Sequence, residues 1–186
     1  MSSSSARPIT DYSTAEASLL KNILSGAEVK NRGQLGPMVP IQLFQALRLI
    51  GMGGAIESMV GDGARALVYQ AGQRVGVVLG QVVAPEAGKD LKKYVELVRN
   101  LCIKLTIGQV VLEKADNAAG LLTLKVDECV SCAGIEGAQS PICNFEAGLV
   151  GGVVRTFVGK EVKAIETRCN AVGDNTCGID VHILGH

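Results

Sequence analysis

The hydrophobic period of this chain changes once, near residue 106. Before that point apolar residues recur at helical spacing: Leu91, Val95, Val98, Cys102 and Leu105 share a face, with Lys92, Lys93, Glu96 and Arg99 opposite. After it, Leu122, Leu124 and Val126 alternate with Thr123, Lys125 and Asp127, the period of a half-buried strand. Helices first, then strands with one helix among them, imply an α+β domain whose antiparallel sheet packs on helices.

The expected helices are Thr14 to Leu24 (Ser13 as N-cap), Ile41 to Val60, Ala64 to Val83, Lys89 to Leu105 and Pro141 to Phe157. Leu43, Leu47 and Ile50 mark the apolar stripe of the second, and Gly51, Gly53 and Gly54 weaken its middle. The expected strands are Gln109 to Lys114, Leu121 to Glu128, Glu161 to Cys169 and Cys177 to Leu184. Gly72, Gly76 and Gly80 recur every four residues, so they form one smooth stripe. Such a stripe suits close helix packing or leaves space for a ligand. There is no internal repeat and no linker. Residues 13–186 read as one domain behind a mobile tail, residues 1–12.

Hydrophobic residues make up 47% of the chain and charged ones 19%, which suits a globular core. Lys plus Arg number 18, as do Asp plus Glu, so no charge excess points to nucleic acid or an anionic membrane. No apolar run is long enough for a membrane span. The start, M-S-S-S-S-A-R-P, has no apolar segment behind it and does not read as a signal peptide. A cytoplasmic setting is expected, where the six cysteines are thiols or metal ligands rather than disulfides.

Familiar catalytic motifs are missing. Gly51-Met52-Gly53-Gly54 lacks the third glycine and the preceding strand of a dinucleotide fingerprint. His182 and His186 read as surface residues. Arg48 and Arg74, in otherwise apolar helices, read as side chains reaching for solvent, with a charge pointed into a pocket as the alternative, and Glu146 as solvated or adjacent to a metal.

The cysteines concentrate near the C-terminus. Cys143 opens a helix, Glu166 and Cys169 close a strand, and Cys177 starts the next. Three thiolates and a carboxylate would fill a tetrahedral zinc shell, leaving no position for water. The same residues also suit buried inert thiols beside a solvated glutamate. Glu166 and Cys169 lie an odd number of residues apart, so a regular strand would point them opposite ways. A bulge or an early strand end is required for them to converge. Cys129-Val130-Ser131-Cys132 is read separately, as inert thiols, a candidate redox pair or a regulatory metal site. Cys102 reads as core.

P-I-C-N-F-E-A-G-L-V-G-G and I-E-T-R-C-N-A-V-G-D-N-T-C-G-I-D-V resemble the signature of the 4-vinyl reductase domain family. The likeness runs from Glu128 to Val181, and A-R-A-L-V-Y-Q-A-G-Q-R-V-G resembles the family's second region. The family includes hydrocarbon-binding proteins, a bacteriochlorophyll biosynthesis protein and phenol-responsive sensor domains. Its zinc-bearing sensors imply Cys143, Glu166, Cys169 and Cys177 as ligands. It also implies a fold similar to vesicle-tethering TRAPP subunits (the NO-signalling and Golgi-transport type), commonly dimeric.

The resemblance implies a homodimeric domain that binds an apolar molecule, a hydrocarbon, an aromatic or a tetrapyrrole side chain, and is held by structural zinc. Any signal would pass to a separate effector protein. Phe44, Tyr69, Tyr94 and Phe145, rare aromatics near apolar faces, are the expected pocket residues. A vinyl reductase needing an external electron donor, and a dimeric assembly module without ligand, are the alternatives.

Overall fold

The computed structural model describes residues 14–25 and 32–185. The expected tail, the Ser13 cap and His186 lie outside the described residues. The chain divides into two compact units, Met1–Val39 and Pro40–His186. The first holds α1 (Thr14–Ser25).

In the second unit, α2 (Ile41–Gln45) runs through a π-helical segment (Ala46–Gly54) into α3 (Ala55–Val60). The glycine-rich middle expected to weaken this helix is where its turns widen. Its apolar stripe does not face the core. Leu43, Leu47 and Ile50 are exposed, Ile50 by 72%, and the buried residue of the π-helical segment is Arg48. Periodicity located the stripe but not what lies against it.

α4 (Ala64–Ala87) and α6 (Asn144–Val158) carry the closest packing. A Cβ at Gly72 would land on the Phe145 carbonyl, and one at Gly76 on the Leu149 carbonyl. Reciprocally, Gly148 meets the Tyr69 carbonyl and Gly152 the Gln73 carbonyl. The glycine stripe thus closes space between two backbones. At its end, Gly80 faces Thr156 and the Tyr94 hydroxyl.

α5 (Leu91–Lys104) starts at Asp90, whose carboxylate accepts the Lys93 N–H at 3.0 Å. Beyond Gly108 follow β1 (Gln109–Asp116), β2 (Leu121–Asp127), β3 (Val162–Arg168) and β4 (Cys177–Ile183). They form one antiparallel sheet in the order β1-β2-β4-β3. The expected α+β architecture, an antiparallel sheet on helices, is what the chain adopts. Leu122, Leu124 and Val126 are buried, as their alternation requires, beside Val110, Cys177, Ile179 and Val181. α5 and α6 cover this face. On the sheet, Arg168 lies over Gly178, where a Cβ would collide with its guanidinium, and reaches Glu113 at 2.6 Å. Among the described residues, no helix is long and apolar enough to cross a membrane.

Candidate functional site

The cysteine centre forms where three chain segments meet. α6 starts later than Pro141 suggested. Its first intrahelical bond runs from the Ala147 N–H to the Cys143 carbonyl, 2.9 Å, which puts Cys143 at the cap. Pro141 and Ile142 stay in the loop, and the Ile142 carbonyl accepts from the Arg48 Nη2 at 2.7 Å. On β3 the register against β4 slips between Glu166 and Arg168. This is the irregularity that lets Glu166 and Cys169 converge. Past Cys169 a tight 3-10 turn, Asn170–Val172, leads to Gly173 at φ 105°. The Cys169 N–H donates to the Asp174 carboxylate at 2.8 Å, fixing the hairpin that presents Cys177.

The four expected donors come together: Cys143, Glu166, Cys169 and Cys177 offer ligand atoms within 4.8 Å of one another. The Cys143 Sγ is 3.8 Å from Cys169 Sγ and 3.9 Å from Cys177 Sγ. Zn–S bonds of about 2.3 Å in a tetrahedron give a sulfur–sulfur edge of about 3.8 Å. One Glu166 oxygen accepts the Cys143 N–H at 2.7 Å, while Oε1 is buried without a hydrogen-bond partner among the described residues. An orphaned carboxylate oxygen beside three thiols at that spacing fits a soft divalent ion.

Cys129 and Cys132 are not separate from this centre. Glu128, at φ 54°, turns the chain out of β2, and Cys129 and Cys132 fold back over the hairpin. Cys129 Sγ lies 3.7 Å from Cys143 Sγ, and Cys132 Sγ lies 3.3 Å from Cys177 Sγ. Cys129, Cys132, Cys143 and Cys177 form a second buried donor set. All six cysteines are free. The Cys-x-x-Cys spacing was visible in the sequence, but a redox reading and a ligand reading share that spacing.

Contacts among the sulfurs divide their protons unevenly. Hydrogen bonding, with Cys132 for Cys129 and with Cys129 for Cys143, raises these two thiols. Hydrogen bonding with Cys129 first of all lowers Cys132 and Cys177. Burial pushes the Cys169 thiol up to about 12. Burial also raises the Glu166 carboxyl, opposed by the Cys169 thiol and the Cys143 N–H.

A polar brace surrounds the cysteine loop. Gln45 Nε2 donates to the Val130 and Ala133 carbonyls at 3.1 and 3.0 Å. Arg48 and Glu146 are both 3% exposed, with Nε and Oε1 3.8 Å apart, and the Ser131 hydroxyl donates to Glu146. Neither Arg48 as a solvent-seeking side chain nor Glu146 as a solvated one describes the molecule. Each occurs in an apolar sequence context that gives no sign of the other. Arg74 and His182 are exposed, as read.

A second feature lies along α6. Its side chains Leu149, Val150, Val153, Val154 and Phe157, with Tyr94 and Val98 and strands β1 and β2, enclose a cavity of about 40 Å³. That is room for roughly three waters. Tyr94 and Phe157 stack with centroids 4.8 Å apart, and the Tyr94 hydroxyl donates to the Val153 carbonyl at 2.8 Å. Of the expected pocket residues, Tyr94 lines this cavity and Phe44, Tyr69 and Phe145 do not. Tyr69 instead accepts the Ala164 N–H at 3.1 Å on edge strand β3. Phe157 and the aliphatic lining were missed because aliphatic core positions look alike in sequence. Leu91, Val95, Val110 and Leu112 line both the cavity and a surface groove of about 630 Å³ between α5 and β1.

The family model of the 4-vinyl reductase (V-4-R) domain matches residues 122–183. Protein MJ0150 of Methanocaldococcus jannaschii is 30% identical over 151 residues, 80% of this chain and 79% of that protein. Among solved structures, the phenol-responsive sensory domain of the transcription activator PoxR, with phenol, is similar at a TM-score of 0.65. It is 19% identical, over 93% of this chain and 92% of that one. A trafficking protein particle complex subunit 3 from Naegleria fowleri, covalently bound to palmitic acid, is similar at 0.55. It is 14% identical, over 78% of this chain and 98% of that one.

Proposed function

Because the chain belongs to the 4-vinyl reductase domain family, we propose that it is a binding domain for a small apolar molecule, held together by a structural zinc site. The observation that carries this reading is the cavity between α5, α6 and the sheet, whose lining is hydrocarbon apart from one engaged phenol. The PoxR domain, of the same fold, is a phenol-responsive sensor, which supports a ligand of aromatic or hydrocarbon type. A cavity of this size admits such a molecule only if its walls move. The seam between α5 and β1 is the entry, since the same four residues line the groove outside and the cavity within.

Cys143, Glu166, Cys169 and Cys177 hold zinc, which fastens the start of α6 to the β3–β4 hairpin. The cavity begins further along the same helix. The metal fixes the frame in which the pocket sits and leaves no coordination position for catalysis. The exposed stripe Leu43, Leu47 and Ile50 is the homodimer face, and a separate effector protein in the cytoplasm receives any signal.

Thermal denaturation of the purified chain with toluene or phenol tests the ligand reading. A ligand present at one hundred times its Kd stabilises by about 2.7 kcal/mol. Val150→Phe, which fills the cavity, is expected to abolish the shift while leaving the fold intact. If neither compound moves the wild-type transition, or if both protect the filled variant equally, the cavity is not the binding site.

A further inference from the structure

The geometry points to a second metal ion in the cysteine centre, giving a two-metal cluster bridged by Cys143 and Cys177. It rests on the reading of Cys143, Glu166, Cys169 and Cys177 as a metal site and extends it. The two four-donor sets differ only in their outer members: Cys129 and Cys132 in one, Glu166 and Cys169 in the other, with Cys143 and Cys177 common to both. Six donors of which two are shared satisfy two tetrahedral ions. Each ion then has four ligands and the pair has a common edge.

The spacing supports this. The shared edge, Cys143 to Cys177, is 3.9 Å, and Cys143 lies 3.7 Å from Cys129 on one side and 3.8 Å from Cys169 on the other. All are close to the edge of about 3.8 Å expected for zinc thiolates. Cys132 to Cys177, at 3.3 Å, has to open by about half an ångström to reach that edge. A single ion leaves the centre incomplete either way. In the all-cysteine set it leaves the buried Glu166 Oε1 without a partner. In the other set it leaves Cys129 and Cys132 buried against thiolates with no ion of their own.

Charge argues likewise. Five thiolates and a carboxylate carry six negative charges. One divalent ion offsets two of them, and a pair offsets four. Binding displaces thiol protons to solvent and changes no oxidation state. A cleft of about 430 Å³ lies between residues 134–137 and 170–175, the loops that follow Cys132 and Cys169. The ions are of the zinc class, soft enough for thiolate.

Native mass spectrometry of the full chain, purified without added metal and then supplied with zinc, counts the ions. Two zinc per chain are expected, falling to one in Cys129→Ser and in Cys132→Ser. One zinc in the wild type, unchanged in Cys129→Ser, overturns the second ion and leaves the single structural site standing. One zinc that is lost in Cys129→Ser but kept in Glu166→Gln overturns both assignments, as does a wild type that takes up none. Copurifying iron with acid-labile sulfide overturns the zinc pair. Cobalt titration of the wild type needs no variant to fold. A thiolate-bridged pair is expected to lose spin-resonance signal per ion between the first and second equivalents. Constant signal per ion overturns the bridge.

Discussion

At Tyr94 one hydroxyl ties α5 to α6 while the ring forms a wall of the cavity. Burial raises its phenol well above its ordinary 10.0. The unfolded phenol therefore ionises first as pH climbs. Above about pH 10 the unfolded state binds fewer protons than the folded one, so stability falls with rising pH. Tyr94→Phe is expected to cost about 1 kcal/mol at neutral pH and to flatten that alkaline decline. Urea unfolding at a series of pH values reads both, and an unchanged alkaline slope would contradict the assignment. Arg48 and Glu146 pose a different problem at the same scale. Burial raises the Glu146 carboxyl, and Arg48 and then Ser131 pull it back. Arg48→Met leaves the buried Glu146 carboxylate with the Ser131 hydroxyl but without its counter-charge and is expected to cost about 3–5 kcal/mol. The double variant Arg48→Met, Glu146→Met is expected to recover most of it, because the desolvation cost leaves with both partners. Equal destabilisation in the single and double variants would show that the pair is not the reason.

Among the elements, α4 and α6 depend on having no side chain at four crossing points. Gly76→Ala puts a methyl group on the Leu149 carbonyl, where no rotamer relieves it. A loss of about 3 kcal/mol or more is expected. At Gly51, on the π-helical segment, the nearest atom to an added Cβ is 4.0 Å away. Gly51→Ala has room, and is expected to stabilise by about 0.5–1 kcal/mol through reduced backbone entropy. The two variants differ by the same methyl group and should move the urea midpoint in opposite directions. A like-signed pair would mean that the helices do not meet as described.

On the scale of the whole molecule, the cysteine centre joins the loop after β2, the start of α6 and the β3–β4 hairpin, with donors spread from Cys129 to Cys177. Metal binding to such a centre contributes directly to folding, since the unfolded chain has no preformed site. Chelation is therefore expected to lower the melting temperature of the entire second unit in one transition, not to loosen the hairpin alone. Calorimetry with and without a strong chelator checks this. A hairpin that melts separately while the rest is unmoved would argue for a peripheral site. The exposed Leu43, Leu47 and Ile50 carry a prediction at the same scale. Leu47→Glu is expected to shift sedimentation from dimer to monomer without loss of helix. A wild type that sediments as a monomer at all concentrations would remove the dimer face.

The sequence by itself determined the class of fold and most of its elements. Period is a local property, and the change from helical to alternating spacing separates α5 from the sheet before any contact is known. It also supplied the donors: thiols beside a carboxylate are chemistry that residue types carry with them. Tertiary structure decided what those elements face. The glycines of α4 can make or close a space, and the carbonyls of α6 decided the latter. The Leu43 stripe is apolar whichever way it turns, and the core received Arg48 instead. Cys129 and Cys132 lie ten or more residues from the other donors, and only the return of the loop over the hairpin sets them beside Cys143 and Cys177. Periodicity is written in neighbouring residues, whereas convergence depends on distant segments closing on one another, which no local spacing encodes.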